Sequence, residues 1–399
     1  MNKPVKQHLI DPEICIRCHS CEAACPIAAI EHDGVNVVVK AEACNFCMAC
    51  VPVCPTGSID EWRVVETPYT LAEQYGWTEL PPQREFAQGP SEAENSLEAF
   101  DDPVASLLAE AHSGAGGKAK PPASASKPSV NVYPLGKPVE AIVQGNYRLT
   151  AEGSDADVRH IILNFGNQPF PALEGQNLGI IPPGVDKNGK PYLPRLYSLS
   201  SPRDGERQNF NNLSLTVKRD PQGVCSNYVC DLEKGDKVKV IGPFGSTFLM
   251  PNDPKARLLM ICTGTGSAPF RAFTMRRQRS GTPGAEGDMI LFFGARTPDS
   301  LPYFGPLNKI PERLLKKRMV FSRIPGAPKE YVQDRLMVES GEIADLLNDA
   351  NTYIYICGLR GMEEGVEKAF ISIAESVGLP WATLRNAMRE EGRYHVETY

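Results

Sequence analysis

Short runs of apolar residues, interrupted by Gly, Pro and Asn, characterise the second third of the chain. Residues 141–143, 160–163 and 213–217 have the length and the composition of β-strands. Several short strands separated by turn residues predict an antiparallel β-barrel, which we assign to residues 136–254. Residues 242–245, which include a proline, are expected to form the turn that ends this barrel.

The hydrophobic pattern changes near residue 256, where longer apolar strands begin to alternate with helical stretches. Residues 257–262, 289–294 and 353–358 have the continuous apolar character of buried strands. The helical stretch that follows the last strand carries one apolar face, formed by Val366, Phe370, Ile373 and Val377. This alternation predicts a small α/β domain with a parallel sheet, which we assign to residues 255–399.

The first 65 residues form a separate module, and we assign residues 66–135 to a linker. The periodic pattern fades after Val65, although residues 101–110 have the pattern of a short helix. Residues 113–130 are rich in Gly, Ala, Ser, Pro and Lys, a composition that buries little apolar surface and predicts flexibility. Such a linker either tethers the first module at high effective concentration or is a passive spacer.

Composition and charge narrow the classes of function. The chain has 399 residues, is 42% hydrophobic and 23% charged, and carries a net charge of −6, which suits two or three soluble domains. The absence of a basic tail argues against nucleic acid or an anionic membrane surface as a partner. We find no apolar stretch long enough to span a bilayer and no targeting segment, and we therefore expect a cytoplasmic protein.

Most of the 12 cysteines fall in two matching runs near the N-terminus, each with the spacing C-x2-C-x2-C-x3-C-P. The runs are Cys15, Cys18, Cys21 and Cys25 before Pro26, and Cys44, Cys47, Cys50 and Cys54 before Pro55. This is the spacing of bacterial two-cluster ferredoxins, which have an α+β fold and transfer single electrons. A disulfide framework or zinc sites are the alternatives, but disulfides suit small secreted domains and zinc motifs have a longer gap between paired cysteines.

In such ferredoxins the fourth cysteine of each run binds the cluster of the other run. We therefore assign one 4Fe–4S cluster to Cys15, Cys18, Cys21 and Cys54, and the second to Cys44, Cys47, Cys50 and Cys25. Ile30 and Ile59 each follow the proline of their run by four positions, and we expect them to pack against the clusters.

Three further motifs suggest a flavin and a dinucleotide. In residues 195–198, the fork of Arg195 suits a pyrophosphate and the ring of Tyr197 suits stacking on an isoalloxazine. Residues 223–226 precede a predicted helix at 228–232. They either bind a phosphate at the start of this helix through free backbone N–H groups, or Ser226 is an ordinary N-cap. Residues 263–266 lie between a strand and a helix, as in dinucleotide sites, but they do not match G-x-G-x-x-G.

The order of these motifs, followed by Cys-Gly at 357–358 and by His-Val-Glu-Thr-Tyr at the carboxyl end, resembles the plant-type ferredoxin–NADP reductases over residues 139–399. The resemblance implies an FAD-binding barrel followed by an NADP-binding domain. The cofactor-binding residues that it implies are Arg195, Tyr197, Ser198, Gly223, Val224, Cys225, Ser226, Thr263, Gly264, Thr265, Gly266, Arg296 and Gly358.

The same resemblance implies roles in hydride transfer. Ser198 would lie near the flavin N5 atom, and Tyr399 would stack on the flavin face where the nicotinamide enters. Cys357 and Glu397 would lie beside the path of the hydride. The positions that hold the 2′-phosphate in the family correspond to Ser322, Arg323, Lys329 and Tyr331. We therefore expect a preference for NADPH over NADH, because a phosphate dianion favours charged donors.

The fused cluster module departs from that family, whose members usually pass electrons to a separate two-iron ferredoxin. The combination resembles the reductase components of benzoyl-CoA epoxidase systems, which implies a di-iron oxygenase that epoxidises benzoyl-CoA as the partner. The alternative is a general NADPH–ferredoxin reductase with a built-in ferredoxin that serves another oxygenase or reductase. An electron carrier whose flavin domain only docks a partner is a further possibility. The expected cofactors are FAD, NADPH and two 4Fe–4S clusters.

Overall fold

The structure is a computed structural model, and it describes most of the chain in two compact units. The described residues are 5–13, 15–46, 49–51, 53–54, 56, 58–59, 61–81, 119–208, 210–280 and 288–398. Cys47, Tyr399 and the short helix expected at 101–110 lie outside them. One unit consists of Met1–Asp102, Phe165–Pro171 and Asp204–Asn212, and the other of Pro103–Asn164, Ala172–Arg203 and Leu213–Tyr399.

The described part of the first unit contains two small antiparallel sheets and two short helices. Strand β1 (Val5–Leu9) pairs with β4 (Glu61–Val65), and β2 (Ile30–His32) pairs with β3 (Val37–Val39). The helices are α1 (Ser20–Ala24) and α2 (Leu71–Tyr75). Ile30 and Ile59 are buried in one apolar cluster with cysteines of both runs. Their packing against iron–sulfur clusters stays a prediction.

Helix α2 shows that the first unit extends beyond the predicted boundary at residue 65. Its N-cap Thr70 and Glu73 form a capping box, and the side chain of Gln74 is buried. The Gln74 amide accepts a hydrogen bond from the Val39 nitrogen at 3.1 Å and donates one to the Val39 carbonyl at 3.0 Å. Part of the predicted linker therefore packs against strand β3 of this unit, and the T-x-x-E capping pattern was the overlooked signal.

The second unit begins with a six-stranded antiparallel sheet. Its strands are β5 (Val139–Arg148), β6 (Val158–Asn164), β7 (Asn177–Ile181), β8 (Arg195–Ser198), β9 (Asn212–Lys218) and β10 (Lys237–Phe244), in the order β8-β7-β10-β5-β6-β9. An antiparallel bridge between Leu199 and Leu215 joins the two ends of the sheet, as in a barrel. The turn expected at 242–245 is wrong, because β10 continues through Phe244 with a shift of register after Ile241.

A five-stranded parallel sheet follows, as predicted. Its strands are β11 (Arg257–Thr263), β12 (Met289–Ala295), β13 (Lys316–Phe321), β14 (Thr352–Gly358) and β15 (Tyr394–Thr398), in the order β13-β12-β11-β14-β15. The helices of the second unit are α3 (Val224–Asp231), α4 (Ser267–Ser280), α5 (Phe304–Lys309), α6 (Val332–Val338), α7 (Ser340–Asn348), α8 (Arg360–Ser376) and α9 (Trp381–Glu390). None of the helices in the described part of the chain is long and apolar enough to cross a bilayer.

Alternate residues of the parallel strands fill two apolar layers, one on each face of the sheet. Leu259 and Ile261 face the layer that contains α8, whereas Met260 faces the layer that contains α4. Three residues of the predicted apolar face of α8 are buried, as expected. Val377 is the exception: it is 52% exposed, because the helix ends at Ser376 and Val377 is its C-cap.

The described second half of the predicted flexible linker is bound to the barrel and to the parallel-sheet region. Ser126 is buried, and its Oγ accepts hydrogen bonds from Arg203 at 2.7 Å and from Asn252 at 2.9 Å. The Ser129 carbonyl accepts one from Gln176 at 3.0 Å. The expectation of flexibility therefore does not hold for residues 119–130, because their hydroxyl and carbonyl groups satisfy buried polar side chains.

Candidate functional site

The motif cysteines of the first unit separate into two groups. Cys25, Cys44 and Cys50 line one cavity, whose remaining wall is apolar apart from His8 and Asn45. Cys25 comes from the first run and the other two come from the second. Cys47 would complete this group by our assignment, but it lies outside the described residues.

The other group is recognised because its thiols change the pKa values of one another. Burial raises the pKa of Cys21 to about 11, and the charges of Cys54 and Cys15 raise it as well. Cys54 also acts on Cys18, although hydrogen bonds from Ser20 leave the pKa of Cys18 lowered overall. Cys54, from the second run, therefore lies close enough to Cys18 and Cys21 of the first run to influence their ionisation. This exchange supports our ligand assignment, which remains a proposal.

The surroundings of the sulfur atoms fit thiolate ligands of iron–sulfur clusters. The Ala29 nitrogen donates a hydrogen bond to the Cys25 sulfur at 3.2 Å. The Cys54 sulfur lies 3.3 Å from the Ser58 hydroxyl and 3.7 Å from that of Thr56. Burial opposes ionisation of Cys54, but these hydroxyls and nearby backbone N–H groups leave its pKa lowered. Cysteine sulfurs in an apolar setting, with hydrogen bonds to Cys25 and Cys54, are the donor set that such clusters use.

In the second unit, strand β8 and the start of α3 meet at the predicted flavin residues. Arg195 pairs with Ile180 of β7, and the sulfur of Cys225 lies 3.7 Å from the Ile180 carbonyl. Burial raises the pKa of Cys225, while a hydrogen bond from Tyr197 and the charge of Arg195 oppose the increase. Burial also raises the pKa of Tyr197 far above its usual value, so Tyr197 keeps its proton. The structure thus brings Arg195, Tyr197 and Cys225 together.

Helix α3 begins four residues earlier than predicted, with Gly223 as its N-cap. The alternative of Ser226 as N-cap is therefore wrong. The Ser226 hydroxyl accepts a hydrogen bond from the Asp220 nitrogen at 3.1 Å and contacts the Gly223 carbonyl at 3.3 Å. The backbone N–H groups of the first turn, Val224 included, have no carbonyl partner within the helix and suit a pyrophosphate.

The glycine-rich turn lies at the switch point of the parallel sheet. Strands β12 and β13 lie on one side of β11, and β14 and β15 lie on the other, so a crevice opens at the carboxyl ends of β11 and β14. The 3₁₀ turn Gly264–Gly266 and Gly358 lie at these ends. A Cβ on Gly266 would lie 2.2 Å from the Cys357 carbonyl oxygen, so only glycine allows the turn to approach β14 this closely.

Asn177 connects the residues expected beside the hydride path. Ser198 pairs with Asn177 across β8 and β7, and the Asn177 side chain lies near enough to the Glu397 carboxyl to oppose the rise of its pKa. Glu397 in turn pairs with Cys357 across β15 and β14. Sequence reasoning missed Asn177, because a single Asn in an apolar strand carries no local pattern.

The Glu397 carboxyl is held in its protonated form. Burial raises its pKa to about 8, while the hydrogen bond from Asn177 acts in the opposite direction. Its Oε1 atom has no hydrogen-bond partner among the described residues. Burial, followed by the charge of Glu397, raises the pKa of Cys357 well above its usual value. Near neutral pH both groups therefore carry their protons in the crevice.

The residues expected to hold a 2′-phosphate lie at and beyond the carboxyl end of β13. The expected cofactor-binding residue Arg296 follows β12 and is joined to Arg323 through the backbone, because the Arg323 nitrogen donates to the Arg296 carbonyl at 2.8 Å. The side chain of Ser322 is half-buried, whereas Arg323, Lys329 and Tyr331 are exposed, and Tyr331 is the N-cap of α6. Tyr399 lies outside the described residues.

Comparisons with known proteins agree with both units. A family model described as a 4Fe-4S dicluster domain matches residues 7–55, and one described as an oxidoreductase NAD-binding domain matches residues 260–368. The chain is 39% identical to a ferredoxin–NADP reductase of Thermosynechococcus vestitus, over 68% of this chain and 75% of that protein. It is 35% identical to the Picosynechococcus enzyme of the same name, over 80% of this chain and 83% of that protein.

Solved structures show the same likeness. A ferredoxin–NADP⁺ reductase from Plasmodium falciparum superimposes with a TM-score of 0.54 at 25% identity, covering 68% of this chain and 99% of that one. The structure of that enzyme with 2′P-AMP gives a TM-score of 0.53 at 26% identity, covering 67% and 99%.

Proposed function

Because the chain belongs to the ferredoxin–NADP reductase family and carries a 4Fe-4S dicluster domain at its N-terminus, we propose that it delivers electrons from NADPH to a separate protein acceptor. The electrons would pass through FAD and then through the chain's own clusters. The observation that carries the proposal is the arrangement of Ser198, Asn177, Glu397 and Cys357, in which Ser198 pairs with Asn177, Asn177 influences the pKa of Glu397, and Glu397 pairs with Cys357. It supports the proposal because proton-bearing groups of the barrel and of the parallel sheet would then face the same crevice.

The residues of the chain position the cofactors and control protons. Bound FAD would accept a hydride as an electron pair and release single electrons, which is the chemistry that one-electron clusters require. Arg195 and the first turn of α3 offer donors to its pyrophosphate, and Tyr197 offers a ring for stacking. Glu397 is neutral near pH 7, so it presents a proton without placing a negative charge beside the incoming nicotinamide.

The nucleotide would lie across the carboxyl ends of the parallel strands. The 3₁₀ turn Gly264–Gly266 and the start of α4 would hold its pyrophosphate, as helix N-termini in such folds do. Ser322, Arg323, Lys329 and Tyr331 would hold the 2′-phosphate. The 2′P-AMP complex of the Plasmodium relative supports this reading, since that ligand carries the phosphate that distinguishes NADP from NAD.

A general reductase with a built-in ferredoxin is the function that we favour. The relatives are ferredoxin–NADP reductases, and the dicluster domain supplies the ferredoxin within the same chain. A di-iron oxygenase that epoxidises benzoyl-CoA is one candidate acceptor. This candidate is supported by the fusion of a dicluster ferredoxin module in front of the reductase module, which resembles the reductase components of such systems. Hydride transfer within the flavin module distinguishes both readings from a carrier that only docks a partner.

The test begins with anaerobically purified protein and NADPH. We expect NADPH to bleach the flavin and then the clusters, and we expect Cys21→Ala to retain flavin reduction but to lose one cluster and electron delivery. Flavin that NADPH does not reduce would contradict the reductase function. Undiminished electron delivery by Cys21→Ala would contradict the route through the clusters.

The acceptor is then identified by reconstitution in air. Benzoyl-CoA turnover that requires both this protein and the matching di-iron component would assign the epoxidase role. Reduction of the clusters without such turnover would exclude that acceptor and retain the general reductase. Tyr399→Ser remains a separate prediction: it should tighten nicotinamide binding and slow its release, because the ring occupies the nicotinamide's stacking position in the family.

A further inference from the structure

Three side chains converge on the surface of the first unit, apart from the cysteine sulfurs. His19 is the N-cap of α1, Glu22 lies in its first turn, and His32 ends β2. The Glu22 Oε2 atom lies 2.7 Å from His32 Nδ1 and 3.4 Å from His19 Nδ1. The two imidazole rings are tilted against each other, with their centroids 4.0 Å apart. One carboxylate oxygen therefore faces two imidazole nitrogens.

We propose that His19, Glu22 and His32 bind a divalent transition-metal ion, for which zinc is the best match. Their three ligand atoms all lie within 4.8 Å of one another. Imidazole nitrogen and carboxylate oxygen bind zinc at about 2.0–2.2 Å, which in a tetrahedron places neighbouring ligands roughly 3.3 Å apart. The distance of 3.4 Å between His19 Nδ1 and Glu22 Oε2 already fits this geometry. The distance of 2.7 Å between His32 Nδ1 and Glu22 Oε2 would increase slightly when the ion replaces their direct contact. A fourth position remains for water.

The polar groups of this cluster are incompletely satisfied without an ion. The Nδ1 atom of His19 is enclosed and has no hydrogen-bond partner in the described part of the chain, although it faces the Glu22 carboxylate. Enclosed nitrogen atoms usually have a partner, so an ion that binds this nitrogen would explain the arrangement. Lys40 acts on Glu22 only at long range, since its amine is paired with Glu31 at 2.7 Å.

An ion can reach the site from solvent. The side chains of His19, Glu22 and His32 are 43%, 30% and 44% exposed. Cys21, which lies between the first two in sequence, points instead into the buried core. The site also differs chemically from the cysteine groups, because thiolates favour iron–sulfur clusters whereas imidazole with carboxylate favours zinc. A bound ion would tie α1 to β2 without using a cluster ligand.

Equilibrium dialysis of the anaerobic holoprotein against zinc tests the site, with zinc and iron measured together. We expect one zinc per chain at unchanged iron content. His32→Ala and Glu22→Gln should each weaken zinc binding at least tenfold, because loss of even an outer-shell partner costs roughly 10- to 100-fold. Glu42→Gln removes an exposed carboxylate of the same unit and should leave zinc binding unchanged.

Zinc binding that is absent from the wild-type protein, or unchanged in both variants, would overturn the proposal. Binding at the expense of iron would overturn it as well, since it would place zinc at the cysteines. The visible absorption of the clusters shows whether a variant remains folded. A second measurement uses heat: zinc should raise the temperature at which the clusters of the wild-type protein bleach, but not in His32→Ala.

Discussion

Cys357 and Glu397 lie opposite each other on the neighbouring parallel strands β14 and β15, and both side chains are buried. The pair lies next to the turn at Gly266 and is joined to the barrel through Asn177. A carboxyl that is ordinarily ionised and a thiol are thus both kept protonated where a nicotinamide would enter. Their burial is unfavourable for the charged forms, which has a measurable consequence for stability.

Glu397→Gln should make the protein less sensitive to alkaline pH. The pKa of Glu397 is raised from 4.5 to about 8 in the folded state, so the folded protein keeps a proton that the unfolded chain has released. The resulting contribution to folding stability is lost as the pH rises between these values. The wild-type protein should therefore lose up to roughly 5 kcal/mol relative to the variant across this range. Urea unfolding of both proteins at several pH values measures the difference. Parallel stability curves would show that Glu397 is ionised in the fold.

His395 limits the stability of the folded protein at acidic pH. Burial lowers its pKa from 6.5 to about 4, so stability is lost as pH falls through that interval. The comparison of Glu397→Gln with the wild type is therefore cleanest above about pH 6.5, where His395 is neutral in both the folded and the unfolded state.

Exchange of the fourth cysteines predicts which substitutions affect the same cluster. Cys21→Ala and Cys54→Ala should each lose half of the iron and leave the same remaining paramagnetic signal after reduction. Cys25→Ala should lose the other half and leave the other signal, because Cys25 lines the cavity with Cys44 and Cys50. If Cys25→Ala and Cys21→Ala left identical signals, each run would bind its own cluster.

Ser58→Ala should lower the reduction potential of the cluster that Cys54 binds. The Ser58 hydroxyl lies 3.3 Å from the Cys54 sulfur, and hydrogen bonds to ligand sulfur stabilise the reduced, more negative cluster. A net hydrogen-bond contribution of about 0.5–1.5 kcal/mol corresponds to roughly 20–60 mV for one electron.

Thr56→Val is the matched variant, and a smaller shift is expected because its oxygen lies at 3.7 Å. A redox titration followed by electron paramagnetic resonance resolves the two clusters. Equal shifts of both clusters in Ser58→Ala, or none, would contradict a direct hydrogen-bond effect.

Gly266→Ala should weaken nucleotide binding and destabilise the second unit. The added methyl would lie 2.2 Å from the Cys357 carbonyl oxygen, so the turn would have to move away from β14. Gly361→Ala in α8 is the control, because a Cβ there meets no atom within 4 Å and alanine favours a helix. Thermal unfolding and the dissociation constant of NADP⁺ measure both effects. Wild-type affinity in Gly266→Ala would show that the turn does not contact the nucleotide.

Arg323→Ala should reduce the efficiency with NADPH while leaving that with NADH nearly unchanged. Hydrogen bonds to charged groups contribute about 1.5–3 kcal/mol, so kcat/KM for NADPH should fall roughly 10- to 150-fold. Lys255→Ala removes another exposed cation of the same unit and should leave the ratio between the two nucleotides intact. Equal losses of kcat/KM with both nucleotides would show that Arg323 does not act on the 2′-phosphate.

Local pattern predicted the fold well where elements are regular. The buried strands β11, β12 and β14 were predicted to within one residue at each end, because continuous apolar runs flanked by turn residues have few alternatives. Helix α3 was predicted to start at Tyr228 instead of Val224, because polar residues in its first turn mask the helical period. Helix α2 was missed entirely, since it has only five residues.

The amino-acid sequence by itself determined the two cysteine runs, the alternation of strands and helices, and the glycine-rich turn. These features depend on residues close together in the chain, where spacing and side-chain size are sufficient. Only the tertiary structure decided that Asn177 contacts Glu397, that Ser126 is held by Arg203, and that His32 approaches His19 and Glu22. Such contacts form when packing brings distant segments together, and no periodic pattern within either segment encodes the partner.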